Sequence, residues 1–198
     1  INGLSMVSAT DGWAIGANDY GTTGRGDFLL HYDGHAWHQF AFPLAGMLMR
    51  IQMLSADDGW IVGQSVSTSS GILTLTGGIW HYDGQTWTSV PLPTSLQIET
   101  RDNLLLSGIS MLSATDGWIV GTLVPPSPTR VSAPVDVSPT AVILHDSGGT
   151  WEVQRTIAKA RLISIAMTSP TQGWAAGATD TGTVVPSTSS PSGSVGSD

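Results

Sequence analysis

The sequence predicts an all-β protein, a partial β-propeller of about three four-stranded antiparallel blades plus a half blade. Three observations predict this. First, the stretch Ser8-Ala9-Thr10-Asp11-Gly12-Trp13-Ala14-Ile15-Gly16 returns at 55–63, at 113–121 and, more weakly, at 169–177, with Trp-to-Trp steps of 47, 58 and 56 residues. Repeats on this scale belong to solenoids, arrays and propellers. Second, a further motif follows each of the first three copies after a variable gap: Phe28 to Trp37, Gly78 to Trp87 and Ala141 to Trp151. Third, each motif reads as a hairpin, and two hairpins per repeat make one blade.

The first hairpin opens on an alternating apolar stripe. Met6, Met53, Met111 and Met167 each stand seven residues before a repeat Trp, with Leu4, Ile51, Ile109 and Ile165 two residues earlier. Positions i and i+2 share one face of a strand. The Ser-Ala-Thr-Asp-Gly segment that follows is a turn, in which Asp or Ser bonds local backbone amides. Asp11, Asp58 and Asp116 are expected to cap these turns, with Gln172 replacing Asp in the fourth copy. Trp13, Trp60, Trp118 and Trp174 begin the second strand and recur in register, which signals packing between blades. Gly16, Gly63 and Gly121 mark a close backbone approach or a strand end.

The second hairpin is an apolar run, an Asp/Gly turn and a short strand opened by Trp37, Trp87 or Trp151. Asp33, Asp83 and Asp146 are expected to hold its turn. His31, His81 and His145 each stand six residues before that Trp. Three His could make a zinc site, but equivalent positions lie a blade width apart unless they line the axis, and a third strand does not. They are expected to support the core or the turns, with His35 and His38 exposed.

The repeats occupy 1–185, with blades at about 3–43, 50–93, 108–156 and 162–185. Residues 186–198 form a Pro/Ser/Gly-rich disordered tail or linker. The gap from Ala17 to Asp27 reads as a surface loop carrying Arg25-Gly26-Asp27. That between Gln64 and Gly78 reads as an extended hairpin, because Ile72 to Thr76 alternates. The gap from Thr122 to Thr140 holds five Pro and reads as an exposed, semi-extended loop. In an up-and-down blade the first and third turns share one end, and the middle turn and the crossing to the next blade share the other. The repeated short turns therefore lie at one end and nearly all sequence individuality at the other, where function on a rigid scaffold is expected.

Composition narrows the classes further. Charged residues make up 11%, the formal net charge is −8, and there is no Cys. Thirteen of the fifteen acidic residues are Asp, a turn residue, and only Glu99 and Glu152 are Glu. The acidic balance excludes a nucleic-acid reading, which needs basic stripes. No run approaches the ~20 apolar residues of a transmembrane helix. The chain begins at Ile1 with no signal peptide, so it reads as a fragment or processed product.

Gly-Trp-(Ala/Ile)-(Ile/Val)-Gly followed by Ile143-Leu144-His145-Asp146-Ser147-Gly148-Gly149-Thr150-Trp151 resembles the BNR/Asp-box class of propeller repeats. It is most similar to the Ycf48-type repeats of photosystem II assembly factors and their bacterial relatives. Residues 145–151 carry the nearest match to an Asp box, and Tyr32 to Trp37 and Tyr82 to Trp87 read as versions one residue tighter. The resemblance covers about residues 3–185 and implies a propeller scaffold. Sialidases share this repeat class, but a sialidase needs an arginine triad, a Tyr-Glu pair and an acid Asp, and the six Arg here are scattered.

The functional expectation is thus a non-catalytic binding or assembly scaffold, exported or held at the cell surface. It needs no cofactor and no metal, and takes a protein or carbohydrate partner on the variable-loop face. The candidates for that face are Arg25, Asp27, Arg101, Arg130 and Trp80, the one Trp out of register and therefore the ring expected to face a ligand. The alternative is a glycan-binding or sialidase-like glycoside-hydrolase propeller fragment. A half blade leaves an open edge, and open edges invite pairing, so self-association through it is expected.

Overall fold

The computed structural model describes residues 1–18, 26–42, 46–69, 72–96, 103–125, 138–179 and 187–188. The first blade is a meander of β1 (Gly3–Ser8), β2 (Asp11–Asn18), β3 (Gly26–Tyr32) and β4 (Trp37–Phe40). The second contains β5 (Gly46–Ser55), β6 (Asp58–Ser69), β7 (Ile72–Tyr82) and β8 (Trp87–Val90). The third contains β9 (Asn103–Ser113), β10 (Asp116–Val124), β11 (Thr140–Ser147) and β12 (Trp151–Ala158). The fourth has β13 (Ala160–Ser169), β14 (Gln172–Thr179) and the two-residue β15 (Ser187–Thr188).

Each sheet pairs its strands antiparallel in chain order, as short turns between alternating strands dictate. The first strands lie side by side: β1 packs on β5, β5 on β9 and β9 on β13. The protein is therefore an open array of propeller blades. Several strands start or stop away from the expected boundaries. β9 begins at Asn103, five residues before the expected blade start at 108, and Ser187–Thr188 pair with β14 inside the segment expected to be a tail.

Strand alternation gives every blade two different faces. On one, the repeat Trp stands with the residue two positions on and with their cross-strand partners: Trp13, Ile15 and Leu29 in the first blade. On the other stand the Met, the Leu or Ile two residues before it, and the Trp that opens the fourth strand: Met53, Ile51 and Trp87 in the second blade. The Trp face of each blade packs against the Met face of the next. One buried layer joins Trp13, Ile15 and Leu29 to Ile51, Met53 and Trp87. The next joins Trp60, Val62 and Ile79 to Met111, Ile119 and Trp151. The last joins Trp118, Val120 and Ile143 to Leu162 and Ala175, with Met167 against it. A lone blade would leave both faces in water, so burial between blades is what stabilises the array.

The Met recurs because of what lies opposite. Met6, Met53, Met111 and Met167 pair across β-strands with Gly12, Gly59, Gly117 and Gly173. In each copy the thioether lies over the glycine, in the space a Cβ would fill. The closing glycines do not end the strands, which continue past Gly63 to Ser69 and past Gly121 to Val124. They mark a close approach. β5 bulges between Leu48 and Arg50, and the Met47 carbonyl leans onto Gly63. The Leu105 carbonyl does the same to Gly121 and that of Arg161 to Gly177. Gly16 is different, because the Phe28 ring covers it.

Candidate functional site

At the short-turn end, the repeated polar residues are engaged with one another. The turn amides of Thr10, Asp57, Thr115 and Thr171 donate to the Oγ of Ser8, Ser55, Ser113 and Ser169 at 3.1, 3.2, 3.3 and 3.4 Å. The expectation that Asp11, Asp58 and Asp116 cap these turns is corrected: Ser does so. The carboxylates accept instead from His Nε2, Asp11 from His31 at 2.9 Å, Asp58 from His81 at 2.9 Å and Asp116 from His145 at 3.3 Å. Register explains it. Asp11 lies two residues before Trp13 and so on its face, and His31 is Trp13's cross-strand partner. Each imidazole also lies against the indole it pairs with, at 4.4, 4.4 and 4.0 Å between ring centroids. In the fourth blade Gln172 replaces the Asp, and Thr188 holds the register position opposite Trp174. Both partners of the pair are replaced together.

The second turn is held as expected. Asp33 Oδ1 accepts from the amides of His35 and Ala36, both at 2.8 Å, and Asp83 Oδ1 from those of Gln85 and Thr86 at 2.9 and 2.7 Å. Asp146, one position earlier in register, reaches the equivalent amide of Gly149 at 2.6 Å. Trp37, Trp87 and Trp151 pair with Tyr32, Tyr82 and Asp146, each five residues back, so the three turns are equal in length. The expected one-residue difference is a shift of the capping Asp, not a shorter turn. His35 and His38 are exposed, and His38 Nε2 donates to Asp33 Oδ2 at 2.9 Å.

The amides of Ala36 and then His35 hold the Asp33 carboxyl down from the usual 3.8 to about 2. Those of Thr86 and Gln85 lower Asp83. A carboxyl depressed by folding adds stability that is present above its unfolded pKa and is lost as pH falls through its folded one. For Asp33 that window is pH 3.8 down to about 2. Asn keeps an acceptor oxygen but no charge. Asp33→Asn is therefore expected to flatten the acid limb of the stability curve between these values. Urea melts at pH 2, 3, 4 and 6 would check this, and an unchanged limb would remove the charge from the account.

Polar contacts that the sequence reading missed join the blades. Met53 N donates to Ser5 Oγ at 2.9 Å, Met111 N to Gln52 Oε1 at 2.8 Å and Met167 N to Ser110 Oγ at 3.0 Å. Gln52 Nε2 returns a bond to the Met111 carbonyl at 3.0 Å. The signal was present, since Ser5, Gln52 and Ser110 are the polar residues between the Leu/Ile and the Met in three copies. Ala166 occupies this place in the fourth.

The candidates for a ligand-facing surface are not brought together. Arg25, Arg101 and Arg130 lie outside the described residues. Asp27 is not in a loop but in β3, opposite Ala17. Trp80 is the clearest correction: it is 0% exposed, on the Met face of blade 2, with its ring 5.4 Å from that of Phe42. A glycine makes its room, since the indole fills the space a side chain at Gly78 would need. Conversely Trp174, expected with Trp13, Trp60 and Trp118 to pack between blades, is exposed, and so is the repeat residue Trp37.

A groove of about 660 Å³ runs along the rim between blades 2 and 3, lined by Leu92, Thr94, Thr150, Trp151, Glu152 and Val153 among others. Glu152 is the one carboxylate among its described lining residues, whereas glycoside hydrolysis uses a facing pair. No cluster of three or more ligating residues that could hold a metal occurs among the described residues. No described helix is long and apolar enough to cross a membrane.

Fold and surfaces together define an all-β, partial-propeller protein. No protein-family model matches the chain, and no curated protein matches it. It is similar to a solved structure titled "YCF48 bound to D1 peptide" at 14% identity, with TM-score 0.34, over 88% of this chain and 75% of that one. A likeness at this level assigns neither a site nor a partner to this chain.

Proposed function

We propose that this chain is a non-catalytic scaffold that binds a protein partner at the end of the array carrying the middle hairpins. The observation that carries this reading is the unequal length of their described ladders. Among the described residues the β6–β7 ladder runs to Ser69↔Ile72, nine residues past Trp60, while the last described pair of β2–β3 is Asn18↔Gly26, five past Trp13, and that of β10–β11 is Leu123↔Thr140, five past Trp118. Four more residues of strand make the described ladder of blade 2 about 13 Å longer than theirs. The opposite end supports the reading differently, because its repeated Ser side chains hold the turns and its repeated Asp and His side chains bond each other.

The test places a photo-crosslinking residue at Thr76, at the base of the longer ladder, or at His35, on a short turn. Protein capture from the source cells is expected at 76 and not at 35. It should disappear when 66–75 is replaced by Asn-Gly, a two-residue hairpin turn. Capture at 35 alone, or capture that survives the replacement, would overturn the reading. Binding of a defined oligosaccharide that is lost with the same replacement would move it to the glycan alternative.

A further inference from the structure

The array ends in two unlike apolar faces, and its interior shows what covers each. In all three internal seams a Trp face meets a Met face. Among the described residues, no blade lies on the Met face of blade 1 or on the Trp face of blade 4. Met6 is 44% exposed where Met53 and Met111 are 9% and 4%. Leu4 and Trp37 beside it are exposed as well. At the other end Trp174 is 47% exposed where Trp13, Trp60 and Trp118 are between 1% and 5%. Ile163 is exposed on the same face, at the bulge position where Ser107 in blade 3 reaches across to the Leu162 carbonyl of blade 4 at 2.7 Å.

We propose that a second copy of this chain covers these faces head to tail, the Trp174 face of each copy seating the Leu4–Met6 face of the other. One chain carries both halves of a seam it already builds three times, so a copy supplies the complementary surface at each end. Two copies of the 198-residue chain bring six four-stranded sheets and two three-stranded ones, and eight sheets lie within the range of closed propellers. Closure buries both faces, whereas a head-to-tail contact that fails to close would propagate.

One feature of the new seam differs from the internal three. Ser5, Gln52 and Ser110 each accept from the Met amide of the following blade. Ala166 takes their place facing the other copy's Met6, so that hydrogen bond is missing. The copy-to-copy seam is therefore the weaker one and responds to concentration. Ala166→Ser restores the hydroxyl.

The experiment is sedimentation and light scattering of the 198-residue chain over a concentration series. A species of twice 20.6 kDa is expected. Trp174→Glu and Met6→Glu should each reduce it to the single mass while retaining the β-sheet circular dichroism and a cooperative melt. Ala166→Ser should lower the dimer dissociation constant by about thirtyfold, the effect of two hydrogen bonds, one in each seam, of about 1 kcal/mol each. That gain cannot come from a variant that fails to fold. A single mass at every concentration, a dimer indifferent to all three substitutions, or an open ladder of masses would each overturn the proposal.

Discussion

Trp60→Ala is expected to lower the unfolding free energy by about 3–5 kcal/mol, the range for deleting a large buried ring. Trp60 lies 4.4 Å from the His81 ring and 5.7 Å from that of Trp151, at the seam between blades 2 and 3. Removing it opens a cavity between two sheets whose other contacts hold them apart, so the site cannot close up. Trp174→Ala removes the same residue from the same register position. In the unassociated chain it is expected to change stability by no more than about 0.5 kcal/mol, as for surface substitutions. Urea denaturation of the two variants at low protein concentration checks the contrast. Equal losses would mean that the repeat Trp acts within its own blade, and the account of stability through seams would fail.

Gly63→Ala is expected to cost about 2–3 kcal/mol, the upper range for overpacking a filled site. The added methyl would meet the Met47 carbonyl carbon at 3.0 Å and Met49 N at 3.2 Å, with the Met47 oxygen nearer still. These are backbone atoms of a bulged strand inside a sheet, so relief requires moving the ladder itself. Gly16→Ala at the equivalent repeat position meets the edge of the Phe28 ring, a side chain that can turn away. Its expected cost is nearer 1 kcal/mol. Thermal melts of the pair separate the two cases. Similar shifts would show that the bulge is not what requires the glycine.

The sequence by itself determined the strand grammar. Four copies of Leu/Ile-x-Met, turn, Gly-Trp, and three of apolar run, Asp/Gly turn, Trp specify paired hairpins through period-two alternation and turn chemistry, both of which are local. The long β6–β7 hairpin was legible for the same reason, in the alternation of Ile72 to Thr76. So were the caps made by Asp33 and Asp83, because an Asx turn closes over two or three residues.

Tertiary structure decided which repeated residues serve one another and which apolar residues are covered. That Asp11 serves His31 and not its own turn depends on the β2–β3 register across a variable gap, which neither motif reveals alone. Trp80 looked exposed because it broke the Trp pattern, yet it stands on a buried face, packed over the bare backbone of Gly78 in its own strand and 5.4 Å from the Phe42 ring. Trp13 and Trp174 are the same letter in the same motif, one buried and the other open. The difference is position in the array: a blade face is covered only by the next blade, so burial depends on neighbours and not on the residue.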